Sequence, residues 1–189
     1  MKKIKYPAIF AGYFLFIKGG KMHSYVFVLK DADFNENNYE NYYPTDFEVY
    51  ELLKDRISID GTHVIEMDDQ ECQSMIFKAL DYECFKSYFN IESKNNFNFI
   101  TTNIDEDEYH QIQLNELKEL INEFKDFEFE DYYRIKNGIR NIFADDYGFY
   151  FLYNDIDYGN CIYSKKELVS CFEKGTTFKI LNKVYDYHY

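Results

Sequence analysis

The segment from Asp145 to Gly175 constrains the fold most, because it spells out three consecutive elements. Phe149-Tyr150-Phe151-Leu152-Tyr153 and Cys161-Ile162-Tyr163 are aromatic and branched runs, which favour a pleated strand. The stretch between them is rich in Asn, Asp and Gly, which favour a turn. Ser164 and Glu167 then form an S-x-x-E capping box: the hydroxyl takes a free backbone N–H and the glutamate reaches back. Leu168, Cys171 and Phe172 fall on one helical face, and Gly175 supplies a left-handed residue after the helix. The segment predicts a hairpin followed by a helix.

Similar signals recur along the chain. Ala8 to Ile17 and Ser24 to Leu29 read as two strands around Gly19-Gly20, both apolar enough for two-sided burial. Thr45 and Glu48 give a second capping box, followed at helical spacing by Phe47, Tyr50, Leu53 and Ile57. Ile57 to Ile65 reads as a short hairpin around Asp60-Gly61. Asp69 is placed to cap a helix whose stripe is Cys72, Met75, Ile76, Ala79 and Leu80. Beyond Asp81 the pattern blurs, until Phe97 to Thr102 alternates like a strand. Residues 104–110 read as an acidic loop. Leu114, Leu117, Leu120, Ile121 and Phe124 predict one amphipathic helix. Tyr132, Ile135, Ile139, Ile142 and Phe143 predict another, weakened by Gly138. Thr177 to Tyr187 closes the chain as a strand. The expected architecture is one α+β domain over 1–189, with a mostly antiparallel sheet and several helices packed on one face.

Tyr and Phe, at 20 and 19 copies with no Trp, supply most of the core material. The formal charge is −13, unevenly spread: +6 over residues 1–30, −11 over 31–71 and −9 over 104–131. An acidic surface repels phosphate, which argues against direct nucleic-acid or anionic-membrane binding. It suits a basic partner, or simply keeps an aromatic-rich chain in solution. The start, Met1 to Lys5 followed by Tyr6 to Ile17, imitates a signal peptide, but Pro7 and Gly12 interrupt the run and Lys18-Gly19-Gly20-Lys21 is a poor cleavage site. Cys72, Cys84, Cys161 and Cys171 form no C-x-x-C and read as reduced core thiols of a cytoplasmic protein.

Chemistry is sparsely signalled. Asp31-Ala32-Asp33-Phe34-Asn35 sets oxygens at alternate positions, as a calcium loop does. Glu36 stands where an EF-hand turn needs Gly, and Tyr42 where it needs a bidentate acid, so that reading fails. What remains is a D-x-D after an apolar strand, in which Asp31 and Asp33 would hold Mg²⁺, Mn²⁺ or Ca²⁺ for phosphate chemistry or nucleotide binding. The histidines are His23, His63, His110 and His188, and Cys161 or Cys171 with His188 is the one thiol–imidazole pair to consider. No H-E-x-x-H, G-x-S-x-G, Walker loop or G-x-G-x-x-G occurs, and no cofactor is implied.

The acidic runs are the most distinctive surface feature. Asp105-Glu106-Asp107-Glu108 precedes Tyr109, and Glu128, Glu130 and Asp131 interleave with aromatics up to Tyr132. Acids of this kind steer a basic partner while the aromatics supply desolvated contact. These nine residues are the expected binding surface. In general character, being small, acidic, Tyr-rich and motif-poor, the chain is similar to immunity proteins and phage-encoded inhibitors. That similarity implies a target such as a nuclease-like toxin or a nucleic-acid-binding defence protein. A third expectation is a structural protein whose aromatic strands make a homodimer.

Overall fold

The computed structural model describes residues 23–34, 43–54, 63–80, 83–95, 97–124, 131–143, 149–155 and 159–188. Its sheet is built around two strands from opposite ends of that range. β1 (His23–Asp31) lies between β7 (Thr177–His188) and β5 (Phe149–Asp155), antiparallel to the first and parallel to the second. The other edge of β7 is shared: β4 (Phe97–Thr102) pairs with Thr177 to Ile180, and β2 (His63–Glu66) pairs with Tyr185 to His188. Two hairpins complete the sheet, β3 (Phe89–Lys94) on β4 and β6 (Gly159–Tyr163) on β5. The order is β3-β4-β7-β1-β5-β6, with β2 beside β7.

Strand alternation sends every second side chain of β1 to each face. Phe27 and Leu29 join Phe151, Phe178, Ile180 and Val184 under α2 (Asp69–Leu80), which contributes Cys72, Ile76 and Ala79. The short α3 (Glu83–Lys86), α4 (Glu106–Glu123) and α6 (Lys165–Cys171) add Phe85, Tyr109, Leu168 and Val169 to the same layer. Val26 and Val28 face the other way, with Tyr150, Leu152, Tyr185 and Tyr187, and meet Val49 and Leu53 of α1 (Asp46–Leu53). The expected α+β class, with a mostly antiparallel sheet and several helices on one face, holds. One helix, α1, lies on the opposite face, because β1 and β7 are apolar on both sides.

The seam between β4 and β2 has its own closure. Phe27 is opposite Val184 and Leu29 opposite Ile180, so β7 takes four steps where β1 takes two. Val184 falls in the gap that neither β4 nor β2 covers. Met67 N donates to Val184 O at 3.0 Å, Val184 N donates to Cys72 Sγ at 3.2 Å, and the Cys72 thiol donates to Met67 O at 3.1 Å. Burial, the largest effect, pushes the Cys72 thiol up from its ordinary value.

Several local expectations change. Residues 105–110 are the cap and first turns of α4, not a loop. Asp68, not Asp69, caps α2, accepting from Glu71 N at 2.8 Å. The blurred stretch after Asp81 contains β3, whose tight turn into β4 uses Asn95 at φ 54°, a conformation asparagine tolerates. Gly175, at φ 95°, sits in the turn closed by Thr176 N to Glu173 O at 3.0 Å, not at a helix end. On α6, Leu168 and Val169 are buried while Cys171 is exposed, so the apolar face is rotated from the one expected. The strand over Ala8–Ile17, the Asp60-Gly61 turn and Cys84's side chain lie outside the described residues.

Candidate partner-binding surface

The first acidic run folds into the start of α4. Asp105 is its N-cap and accepts from Glu108 N at 2.9 Å, while Glu108 accepts from Asp105 N at 3.0 Å. Lys174 Nζ donates to both Glu108 carboxylate oxygens at 2.7 Å. Lys174, followed by the Asp105 N–H, holds the Glu108 carboxyl below its ordinary value. Two of the four acids are therefore engaged in holding the helix. Glu106 and Asp107 stay exposed, Glu106 lying 3.7 Å from His110 Nε2. Tyr109 corrects the expectation: it is 2% exposed, packed against Tyr88 with ring centroids 4.9 Å apart. Its helical position turns it towards the sheet, so it is a core residue and offers no contact to a partner.

The second run begins α5 (Asp131–Phe143). Asp131 is half-buried and accepts from Arg134 Nη1 at 3.3 Å. Tyr132 is exposed and meets Tyr133 edge-on at 5.5 Å. Glu128 and Glu130 lie outside the described residues. α4 and α5 form an antiparallel pair: Gln113 Nε2 donates to Ile142 O at 3.0 Å, and Leu120 packs where a Cβ on Gly138 would stand. Gly138 thus lets the two helices approach closely. Asp105, before α4, and Asp131, at the start of α5, lie at opposite ends of this pair, about 27 Å apart at 1.5 Å per residue over the 18 residues of α4.

Between those ends runs an apolar face. Gln113 and Leu120 point at α5, and one residue further on, about 100° round the helix, come Leu114 and Ile121. On α5, Ile139 follows Gly138 and Phe143 follows Ile142 in the same way. Because the helices are antiparallel, both rotations turn to the same side of the pair. Leu114, Ile121, Tyr132, Ile139 and Phe143 are 40–57% exposed there. At roughly 200 Å² for each such side chain they leave about 500 Å² open, at the upper end for a chain with no partner. The sequence put Leu114 and Ile121 on the apolar stripe of an amphipathic helix with Leu120, whereas the buried residues of α4 are Tyr109, Gln113 and Leu120. A helix read from apolar spacing alone cannot show which of two adjoining stripes meets the sheet.

Acids line the rest of α4, which carries six against the single Lys118. Glu119 and Glu123 are exposed. Glu116 is half-buried, and that burial raises its carboxyl above the ordinary value, partly offset by Lys165.

The metal candidates sit elsewhere. Asp31 ends β1 and Asp33 follows in the turn closed by Phe34 N to Asp31 O at 2.9 Å; both are exposed. Asp31 Oδ1 accepts from the Tyr153 hydroxyl at 2.7 Å. Among the residues whose side chains are described, no three His, Cys, Asp or Glu come together as a metal cage. The thiol–imidazole pair separates: Cys161 aligns through Tyr153 with Leu29, while His188 aligns with His23 at the other end of β1. Cys171 is exposed at the end of α6.

Fold and surface define an α+β protein in which an acidic helix, α4, and its neighbour α5 share an open apolar face. Compared with protein-family models, curated proteins and solved structures, the chain matches none. No helix among the described residues is long and apolar enough to cross a membrane.

Proposed function

We propose that the protein binds a basic protein partner and neutralises it, with the α4–α5 pair as the contact. The observation that carries this reading is the open apolar face that Leu114 and Ile121 of α4, the most acidic helix described, share with Tyr132, Ile139 and Phe143 of α5. A buried apolar and aromatic centre supplies most of the affinity of such contacts. Glu106, Asp107, Glu119 and Glu123 around it speed the approach of a cationic surface and repel nucleic acid. Asp105 and Glu108 act indirectly, by fixing the start of α4.

The test is capture from a lysate of the source cells, with mass spectrometry of what is retained. One stoichiometric basic protein should stay at low salt and leave at high salt. Ile121→Glu/Ile139→Glu should keep the fold and lose the capture. Glu106→Gln/Asp107→Asn/Glu119→Gln/Glu123→Gln should slow association with the captured protein about tenfold at low salt. A column that retains nothing, or equal capture by all three proteins, overturns the reading.

A further inference from the structure

The open face of the α4–α5 pair has a shape and a charge pattern that narrow what can fill it. Leu114 and Ile121 form one row, about 10.5 Å long at 1.5 Å per residue, and Tyr132, Ile139 and Phe143 form the facing row, about 16.5 Å long. Between the rows runs a furrow along the seam where Leu120 meets Gly138. Both walls are the sides of α-helices, whose backbone N–H and C=O groups bond within each helix. The furrow therefore offers no backbone partner to an extended strand. An occupant has to satisfy its own backbone, and a helix does so while presenting an apolar stripe at i, i+3, i+4 and i+7.

Charge is arranged around the furrow in a fixed order. Asp107 lies seven residues before Leu114, hence on the same stripe, and with Glu106 it marks the end of the furrow towards Phe143. Lys118 is four residues past Leu114 and Lys136 four past Tyr132, which turns each about 40° further from the seam. Both are exposed, one on each rim near the middle of the furrow. We infer, on the reading of this face as the contact, that the partner inserts an amphipathic helix of about three turns, with acidic side chains on both flanks and a cationic one at the Glu106–Asp107 end. The overall acidity of α4 steers a basic protein in, and the rim lysines select the segment that docks. A second copy of this face would set lysine against lysine along the rims, so the occupant is another protein.

The probes are synthetic peptides added to the full chain. One carries leucines at helical spacing, glutamates on both flanks and lysines at one end. The second has the same composition with a leucine at every other position. The third exchanges the flanking glutamates for lysines. By fluorescence anisotropy the first should bind about tenfold more tightly than either of the others, and its circular dichroism should turn helical on binding. Ile121→Glu/Ile139→Glu should lose it, and Lys118→Glu/Lys136→Glu should reverse the preference between the first and the third. Equal binding of the first and second peptides, or none, overturns the helix, and a preference for the third overturns the charge pattern. A dimer of the chain alone, seen by sedimentation and dissolved by Ile121→Glu/Ile139→Glu, gives the face to a second copy and overturns the proposal. The peptide results are independent of the lysate capture. An empty column with a bound first peptide removes the basic partner and keeps the furrow as a helix site, whereas a captured protein with no bound peptide keeps the partner and overturns the helix.

Discussion

Cys72 shows how much one side chain decides in this protein. It is fully buried, and its sulfur accepts from Val184 N while its S–H donates to Met67 O. Cys72→Ala leaves the Val184 N–H without that acceptor, which costs about 1–3 kcal/mol, and opens a small void besides. Cys72→Ser supplies another acceptor and should lose less. Urea unfolding of both variants checks this; equal losses would mean that volume, not the hydrogen bond, is what matters there. Tyr185 is a second such case: its buried hydroxyl donates to Pro44 O, fixing the chain just before Thr45 caps α1. Burial drives that phenol far above its ordinary value, so it stays a donor. Neither role is written in the sequence, where Cys72 reads as one apolar position among several and Tyr185 as one of 20 tyrosines.

Elements with a local cause were legible. The capping boxes at Thr45–Glu48 and Ser164–Glu167 form as the sequence predicts, and Asp105–Glu108 makes a third, in a stretch whose sequence reads as an acidic loop. A run of four acids suggests self-repulsion, yet at a helix N-terminus acids meet the positive end of the helix dipole. Thr45→Ala, Asp105→Ala and Ser164→Ala should each cost about 0.5–2 kcal/mol. Ser164 should lie at the upper end, because it is 5% exposed and water cannot replace its hydroxyl. Midpoints of urea unfolding check the ranking, and a Ser164→Ala loss smaller than that of Thr45→Ala contradicts it. β3 was missed because Phe89-Asn90-Ile91-Glu92 alternates over too short a span to stand out from the aromatic residues before it. The residues lining the apolar face of α4–α5 were all noted as helical. Their exposure could not be read, since it depends on where α4 meets the sheet.

At the scale of the molecule, β1 and β7 hold the structure together and α5 hangs at its margin. β1 is paired along both edges, with β5 and β7, and Val26, Phe27, Val28 and Leu29 are at most 2% exposed. α5 packs on α4 and on no other described element to a comparable extent. Native-state hydrogen exchange should show amides of β1 exchanging on the order of a hundredfold more slowly than those of α5, through global rather than local opening. Comparable rates would mean that α5 is tied to the body of the protein more firmly than its packing indicates. By itself the sequence determined what short-range forces settle: the three-part run from Phe149 to Cys171, two of the capping boxes, the stripe of α2 and the strand character of β1 and β7. Tertiary structure decided everything that depends on pairing partners far apart in the chain. It placed β1 beside both β5 and β7, divided one edge of β7 between β4 and β2, and turned Leu114 and Ile121 outward. It also brought the backbone of His188 into register with His23 on β1 and His63 on β2, although no spacing of 40 and 125 residues is a motif. Hydrogen bonding between strands depends on backbone groups that every residue shares, so register is fixed only when all the strands and both cores come together.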